Sequence, residues 1–284
     1  MHKIIKKKKV AENTNLFEIR APVVAKKARS GQFVILRVDE NGERIPMTIV
    51  DFDRGKGTIT IVAQEIGKTT TQLGKLGAGD SIVDLVGPLG HPSEIMKFGT
   101  VVLIGGGTGI ACIYPIARDM KKAGNKVISI IGARNKDLLF FREEIKSFSS
   151  EFYITTDDGS EGQKGFVSDV LKKIMSEKKV NRVITIGPVI MMKVVSDLTE
   201  PSGIKTIVSL NPIMVDGTGM CGSCRVSVGG ETKLACVDGP EFDGHKVDFN
   251  NLMLRNRMFC AEEKSSMERH ACTCGKRKKL TLGK

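Results

Sequence analysis

Short runs of Val, Ile and Leu separated by turn signals fill the first third of the chain. The clearest runs are Phe33–Val38, Thr58–Val62 and Ser81–Val86. β-Branched residues favour strands, and Asn41-Gly42 is typical of a tight turn. Repeated short strands of this kind predict a small antiparallel β-barrel over residues 1–98, with one short helix over Thr69–Leu76.

The pattern changes after Gly99 to apolar runs that alternate with helical segments. The predicted strands are Val101–Ile104, Lys126–Ile131, Phe152–Thr156 and Arg182–Ile186, and the predicted helices are Ile110–Ala123, Leu138–Phe148 and Val167–Ser176. This alternation predicts an open, mostly parallel α/β sheet over residues 99–208. Ligands of such sheets bind beyond the carboxyl ends of the strands.

The composition excludes some classes of partner. The formal net charge is +12, and part of it lies in Lys6–Lys9, which we place on a solvated edge strand, and in 276–279. The chain has no Trp and only two Tyr, so we expect no base-stacking surface and no nucleic-acid partner. No apolar stretch is long enough for an export signal or a membrane span. Seven cysteines without an export signal indicate a reducing cytoplasm.

Four residues between 209 and 250 have the spacing of a metal centre. Asp216, Cys221, Cys224 and Cys236 read D-x4-C-x2-C followed by a fourth ligand. Plant-type [2Fe–2S] centres use C-x4-C-x2-C…C, so here a carboxylate stands in the place of the first thiolate. Nearby glycines can adopt positive φ and aim backbone N–H groups at the sulfides; they are Gly217, Gly219 and Gly222. The spacing favours a small [2Fe–2S] subdomain.

Two alternatives for this loop stay open. The C-x2-C pair also suits zinc, although zinc sites usually carry a second such pair that is missing here. The segment could also be a plain thiol loop in which Asp216 caps a glycine-rich turn. A zinc-stabilised regulatory module that binds a nucleotide is therefore the rival function. In the basic tail, residues 251–284, we interpret Cys260, Cys272 and Cys274 as reduced thiols near a partner contact rather than as a metal site.

Three loops of the predicted sheet are candidates for binding a nucleotide. Gly105–Gly109 joins a strand to a helix, where a pyrophosphate can approach the backbone. It departs from the G-x-G-x-x-G fingerprint, and Arg134 lies where an acidic residue would select NAD. Local residues thus leave NAD and NADP open. Asp157 and Gly187 follow two further strands and should meet the first loop at the same sheet edge.

The barrel carries two more candidate segments. In 44–48, Arg44 could hold a phosphate and Thr48 could present a hydroxyl to a flavin ring, although a surface turn is the simpler interpretation. Gly67-Lys68-Thr69-Thr70-Thr71 precedes the predicted short helix, whose N–H groups can cradle a phosphate.

Barrel, sheet and cluster loop in this order resemble the ferredoxin–NADP reductase superfamily. The chain is most similar there to the electron-transfer subunit of dihydroorotate dehydrogenase B and its relatives, which include the small subunits of sulfide dehydrogenase and of the electron-bifurcating NADH-dependent reduced ferredoxin:NADP oxidoreductase. An Asp with three Cys resembles the bifurcating enzyme, because the dihydroorotate dehydrogenase subunit has four Cys. The alternatives within this class are subunits of dihydroorotate dehydrogenase B, a hydrogenase or sulfide dehydrogenase.

The resemblance implies an FAD-binding barrel, a Rossmann-like sheet for NAD(H) and a [2Fe–2S] subdomain. It implies that FAD contacts Arg44, Pro46, Met47, Thr48, Ile61, Val62, Ala63, Gly67, Thr69 and Thr70, with Thr48 at the reacting ring. It implies that NAD(H) contacts Gly106, Gly107, Thr108, Gly109, Asp157 and Gly187, with Arg134 beside them, and that Asp216, Cys221, Cys224 and Cys236 bind the cluster. The implied partners are a large flavin/[4Fe–4S] subunit in a heterodimer and, through that complex, ferredoxin.

Overall fold

The computed structural model describes residues 1–269. Its first part forms eight strands and two short helices: β1 (His2–Ala11), β2 (Thr14–Arg20), α1 (Pro22–Lys27), β3 (Phe33–Arg37), β4 (Arg44–Thr48), β5 (Asp51–Asp53), β6 (Thr58–Gln64), α2 (Lys68–Lys75), β7 (Ser81–Ile82) and β8 (Asp84–Leu89). The strands pair antiparallel in two sheets, of order β5-β6-β2-β1-β7 and β4-β3-β8. The predicted antiparallel barrel is confirmed.

The edge of β1 is as polar as its sequence suggests. β7 pairs only with His2 and Lys3, so Lys6–Lys9 lie along a stretch that has no further strand beside it in residues 1–269. Three of these four lysines are exposed. Such charges discourage pairing with another chain, which explains why a strand can carry four consecutive lysines.

Strand β3 is buried on both of its faces. Val34 and Leu36 point into the barrel core, whereas Phe33 and Ile35 belong to a second apolar cluster that includes residues from beyond position 190. Because side chains alternate along a strand, an uninterrupted apolar run is what a strand between two cores requires.

The second part is a parallel sheet flanked by helices. Its elements are β9 (Thr100–Gly106), α3 (Gly109–Lys122), β10 (Lys126–Ala133), α4 (Arg142–Phe148), β11 (Glu151–Thr156), β12 (Gln163–Lys164), α5 (Val167–Glu177), β13 (Arg182–Ile186), α6 (Val189–Thr199) and β14 (Lys205–Ser209). The strand order is β12-β11-β10-β9-β13-β14, with every neighbouring pair parallel. The predicted Rossmann-like sheet is confirmed.

One helix begins later than the sequence predicted. We expected a helix from Leu138, but α4 begins at Arg142, after a single 3-10 turn over Lys136–Leu138. Leu139 and Phe140 are buried against the sheet, and Phe141 adopts a left-handed backbone with φ of 54°. Burial of these side chains in a non-helical segment overrides their helical pattern.

The last described part packs back on the first two. It consists of a hairpin of β15 (Arg225–Val228) and β16 (Glu231–Leu234), then β17 (Glu241–Asp243), α7 (Phe249–Asn256) and a helical stretch over 260–269. β17 pairs antiparallel with β14 and so becomes the last strand of the parallel sheet. The segment 209–250 contributes Met214, Val226 and Phe242 to the second apolar cluster. The subdomain boundaries at 98, 208 and 250 stay predictions.

Some sequence features lie beyond this description. Cys272, Cys274 and the basic run 276–279 fall outside the described residues. Cys260 is exposed. None of the helices in residues 1–269 is long and apolar enough to span a membrane.

Candidate nucleotide cavity and cluster loop

A cavity of about 900 Å³ lies between the barrel and the carboxyl edge of the parallel sheet. From the barrel it is lined by the predicted residues Pro46, Met47, Thr48, Val62, Ala63 and Thr70. From the sheet it is lined by the predicted residues Gly106, Gly107, Thr108, Gly109, Arg134, Asp157 and Gly187. One cavity thus joins the two groups of residues, and its volume suits ligands of nucleotide size.

The glycine loop after β9 has two kinds of steric constraint. A Cβ on Gly109 would collide with the carbonyl oxygen of Ile186, because α3 starts directly against the end of β13. A Cβ on Gly106 would collide with the sulfur of Met191. Gly107 instead has φ of +55° and open space around it. Only the backbone contact at Gly109 is a rigid constraint, because the Met191 side chain can move, while Gly107 leaves room for a ligand at the start of α3.

Backbone hydrogen bonds align the loops at this edge. The Gly107 N–H donates to the Gly132 carbonyl at 3.0 Å, and the Asp157 N–H donates to the Ala133 carbonyl at 3.1 Å. The ends of β9, β10 and β11 are therefore tied together. The side chains of Arg134 and Asp157 reach the cavity from adjacent strand ends, where they are placed to meet the polar part of a nucleotide.

Three predicted flavin residues do not present their expected groups to the cavity. The Ile61 side chain lies in the barrel core, because side chains alternate along β6 and its neighbour Val62 takes the cavity side. The Thr69 hydroxyl donates to Glu43 at 3.1 Å. The Gly67 N–H donates to the Thr70 hydroxyl oxygen at 3.0 Å, so that N–H is not available to a phosphate in this conformation.

Arg44 also lies away from the cavity. Its Nε donates to the carbonyl of Val215 at 3.1 Å, and its Nη2 donates to the carbonyl of Asp216 at 3.4 Å. From the sequence we expected Arg44 to hold a flavin phosphate. In the structure its guanidinium instead donates hydrogen bonds to the cluster loop.

Cys112 is a cavity residue that the sequence analysis missed. It lies in the first turn of α3, lines the cavity and approaches Thr48. Burial raises the pKa of the Cys112 thiol, and a hydrogen bond with Thr48 offsets part of that rise. The thiol is therefore neutral at pH 7 and acts as a small apolar surface beside Thr48. Its position three residues after Gly109 was the available sequence signal.

Two of the four predicted cluster ligands are already side by side. Cys224 and Cys236 are buried, and their sulfur atoms are 3.2 Å apart. Burial, together with the adjacent Cys224 thiol, raises the pKa of Cys236 to about 12. The Cys236 thiol is thus protonated in the protein alone, and it needs a strongly positive ligand to become a thiolate.

The other two predicted ligands, a half-buried Asp216 and an exposed Cys221, are held by local hydrogen bonds. The Asp216 carboxylate accepts from the N–H of Thr218 at 2.9 Å and from its hydroxyl, which lowers the pKa of Asp216. The Cys221 thiol contacts the Ser223 hydroxyl at 3.3 Å, which lowers the pKa of Cys221. In residues 1–269 no three His, Cys, Asp or Glu side chains are gathered as a metal-binding group. The four predicted ligands therefore do not form a closed set here.

The loop nevertheless fits an iron–sulfur cluster in its donor types and backbone shape. Three thiols and one carboxylate are suitable donors for iron. Gly217, Gly219 and Gly222 have φ of +84°, +89° and +65°, as the sequence predicted for glycines that curl a loop around a ligand. A Cβ on Gly217 would lie 2.6 Å from Ile35, so the loop presses closely on the barrel strand β3.

This fold and site define an electron-transfer flavoprotein subunit of the ferredoxin–NADP reductase class, with a nucleotide sheet and an iron–sulfur loop. Residues 103–197 match the oxidoreductase NAD-binding domain, and residues 211–248 match the iron–sulfur cluster binding domain of dihydroorotate dehydrogenase B. The cofactors of the chain are accordingly FAD, NAD(H) and a [2Fe–2S] cluster.

Relatives narrow the assignment further. A Thermotoga maritima homologue of the dihydroorotate dehydrogenase B (NAD(+)) electron transfer subunit is 48% identical over 97% of both chains. The Fusobacterium nucleatum electron transfer subunit itself is 33% identical over 84% of this chain and 94% of that protein. An uncharacterized Clostridium beijerinckii protein is 51% identical over 93% of this chain and 92% of its own length. The chain belongs to the family of dihydroorotate dehydrogenase B electron-transfer subunits.

Solved structures agree with this family. A structure of NADH-dependent reduced ferredoxin-NADP oxidoreductase, determined for insight into flavin-based electron bifurcation, matches with a TM-score of 0.90 and 48% identity over 95% of this chain and 97% of that chain. Phthalate dioxygenase reductase matches with a TM-score of 0.60 at 18% identity, over 80% of this chain and 86% of that one, and shows the shared fold.

Proposed function

We propose that the chain is the small subunit of an electron-bifurcating NADH-dependent reduced ferredoxin–NADP oxidoreductase. It exchanges hydride between NAD(H) and FAD and passes single electrons through a [2Fe–2S] cluster to a larger subunit. The observation that carries this proposal is the 48% identity, over 95% of the chain, to a structure studied for flavin-based electron bifurcation. Asp216 in place of a first cysteine supports the same choice within the family.

The cavity supports hydride transfer because both nucleotides would share it. The barrel residues Pro46, Met47 and Thr48 would hold the flavin ring, and Thr48 would present its hydroxyl to it. FAD bound there would supply two-electron hydride exchange with NAD(H), and the cluster would supply one-electron transfer to the partner. The apolar walls, which include Cys112 and Met191, would exclude water from the reacting atoms.

The cluster would be bound by Asp216, Cys221, Cys224 and Cys236. Cys224 and Cys236 would hold one iron, since their sulfur atoms are already adjacent and buried. Asp216 and Cys221 would hold the other, since both are less buried than the Cys224–Cys236 pair. Once deprotonated, three thiolates and a carboxylate would supply the negative charge that ferric iron needs.

The partner of the proposed subunit is a large flavin/[4Fe–4S] subunit in a cytoplasmic heterodimer, through which electrons reach ferredoxin. The helical end of the described chain supports a contact there, because Leu254, Met258 and Phe259 are exposed apolar side chains in one short segment. Apolar side chains gathered in this way are typical of a protein–protein interface. The tail 251–284 is the part of the chain to which we assign this contact.

The decisive experiment is a visible and EPR spectrum of the anaerobically purified chain, recorded before and after NADH. We expect flavin bands that bleach and a rhombic S = 1/2 signal from the reduced cluster. A protein that stays colourless after reconstitution with FAD, iron and sulfide would instead be the zinc-stabilised nucleotide module. A co-purifying FMN-barrel subunit, in place of one with [4Fe–4S] clusters, would indicate dihydroorotate dehydrogenase B.

A further inference from the structure

Arg44 joins two parts of the molecule that are distant in sequence. It begins β4 on the barrel, and its guanidinium donates to the carbonyls of Val215 and Asp216 in the cluster loop. The donor atoms are Nε and Nη2, which a planar guanidinium holds in a fixed geometry. A lysine could donate only from one nitrogen, so it lacks the two donor atoms at fixed separation that the guanidinium offers here.

The loop has few other anchors at this point. Val215 is 46% exposed and Met220 is 87% exposed, so the segment that contains Asp216 lies largely at the surface. Gly217 contacts Ile35 and Leu89 of the barrel through close approach of its backbone. The Arg44 hydrogen bonds are the polar counterpart of that contact, and both fix the loop against the same three-stranded sheet.

The bond geometry also places a permanent positive charge beside the loop. A guanidinium stays protonated at any physiological pH, and here it lies within hydrogen-bond distance of the Asp216 backbone. Reduction of a cluster adds one negative charge. A nearby cation therefore stabilises the reduced form more than the oxidised form and raises the reduction potential.

We propose that Arg44 is a positioning residue that ties the cluster loop to the flavin barrel and raises the reduction potential of the cluster. This inference rests on the proposed function, because it assumes that the loop holds a [2Fe–2S] centre. It differs from the flavin-phosphate role that the family resemblance implies for Arg44, and the two roles lead to different measurements.

The test compares Arg44→Gln and Arg44→Lys with the matched control Arg54→Gln. Arg54 is also a barrel arginine, and its Nε and Nη2 donate to the carbonyls of Lys26 and Ala28 at 3.3 and 3.0 Å, away from the cluster loop. Each loaded protein is titrated by EPR in the presence of redox mediators, and its FAD content is measured separately. Mediators reach the cluster directly, so a variant without FAD is compared with wild type stripped of FAD.

We expect Arg44→Gln to make electron uptake by the cluster about tenfold less favourable, which is a fall of about 59 mV for a one-electron couple. Arg44→Lys should recover part of the potential because it keeps the charge. Amide hydrogen exchange in 215–218 should be faster in both variants, because both lose the paired hydrogen bonds. Arg54→Gln should leave the potential and the exchange in that segment unchanged.

The inference would be overturned if the cluster of Arg44→Gln had the same reduction potential as wild type, or as FAD-stripped wild type where the variant lacks FAD. Loss of FAD alone would make Arg44 a flavin ligand and nothing more. A wild-type chain that takes up no iron and sulfide would overturn the proposed function as well. That outcome is distinct from a cluster that is present but indifferent to Arg44.

Discussion

The nucleotide cavity and the cluster loop are built in opposite ways. The cavity is bounded by the ends of buried strands, and its glycines are fixed by backbone contacts such as that of Gly109 with Ile186. Of the four predicted ligands in the cluster loop, two are buried, one is half-buried and one is exposed, and the loop has few anchors to the barrel. The cavity is complete in the polypeptide alone, whereas the loop reaches its final arrangement with its ligand. Packing creates the first site, and metal binding completes the second.

Charge follows the same division. The cavity walls are mainly apolar, with Arg134 and Asp157 at the sheet edge. In the loop, burial raises the pKa of the Cys236 thiol, whereas hydrogen bonds from Thr218 lower the pKa of Asp216, so Asp216 is already charged.

Removal of a buried thiol should have the largest effect on the loop. We expect Cys224→Ala or Cys236→Ala to lower bound iron by more than about tenfold, because each is half of the preformed pair. Iron analysis and the EPR signal measure the loss. Cys260→Ala is the control, since Cys260 is exposed and outside the loop. Full iron content in either buried variant would show that the pair is not a ligand pair.

A single methyl group should test whether the cavity depends on packing. Gly109→Ala must push α3 away from the Ile186 carbonyl, so we expect the free energy of unfolding to fall by about 2–4 kcal/mol. NADH binding should weaken at the same time. Gly203→Ala is the control. A Cβ on Gly203 would meet no neighbouring atom, so the substitution would cost only the strain of its φ of +62°, about 1 kcal/mol. Urea unfolding and an NADH titration measure the two effects. Equal losses of unfolding free energy and of NADH affinity in both variants would show that the cavity does not depend on the packing at Gly109.

Replacement of Asp216 by cysteine should leave the cluster bound but change its reduction potential. Asp216→Cys should retain iron but shift the reduction potential by about 59 mV or more, a tenfold change in a one-electron equilibrium. The control is Asp238→Cys, since the Asp238 carboxylate accepts from the Leu234 N–H instead. An unchanged potential and an unchanged EPR spectrum would remove Asp216 from the ligand set.

The buried contact between Ser93 and Glu241 should give the free energy of unfolding a small dependence on pH. Burial raises the pKa of Glu241 above its ordinary value of 4.5, and a hydrogen bond from Ser93 offsets part of the rise. The folded chain then keeps a proton that the unfolded chain has lost. The free energy of unfolding must therefore fall as pH rises from about 4.5 through the folded pKa.

Glu241→Gln should abolish that slope, because the amide has no proton to lose and can still accept from Ser93. Urea unfolding at several pH values between about 4 and 8 would measure the slope. Glu200→Gln is the control, since Glu200 is an exposed glutamate outside this contact. An equal slope in wild type and Glu241→Gln would mean that Glu241 stays ionised in the folded chain.

Features with a local signal were predictable from the sequence. The run Val101–Ile104 and the glycines after it predicted both β9 and the start of α3, because burial and φ requirements act on neighbouring residues. The spacing from Asp216 to Cys224 likewise predicted the loop with its glycine turns, since this pattern is contained within a few residues.

Contacts between distant segments were not predictable in this way. Arg44 and Asp216 are 172 positions apart, and no periodicity relates them. Ser93 and Glu241 are 148 positions apart, and only the folded chain shows that the Ser93 hydroxyl donates a hydrogen bond to the Glu241 carboxyl. The helix prediction was wrong at Phe140, which lies before α4. Its conformation depends on burial against the sheet rather than on its neighbours in sequence.

The doubly buried strand β3 makes the molecule hard to divide. Phe33 and Ile35 need the C-terminal segment to cover them, while Val34 and Leu36 need the barrel. A fragment that ended at residue 98 would expose an apolar strip and would tend to self-associate. The barrel and the cluster segment should therefore unfold as one cooperative unit. Removal of iron from the loop would then also lower the stability of the barrel.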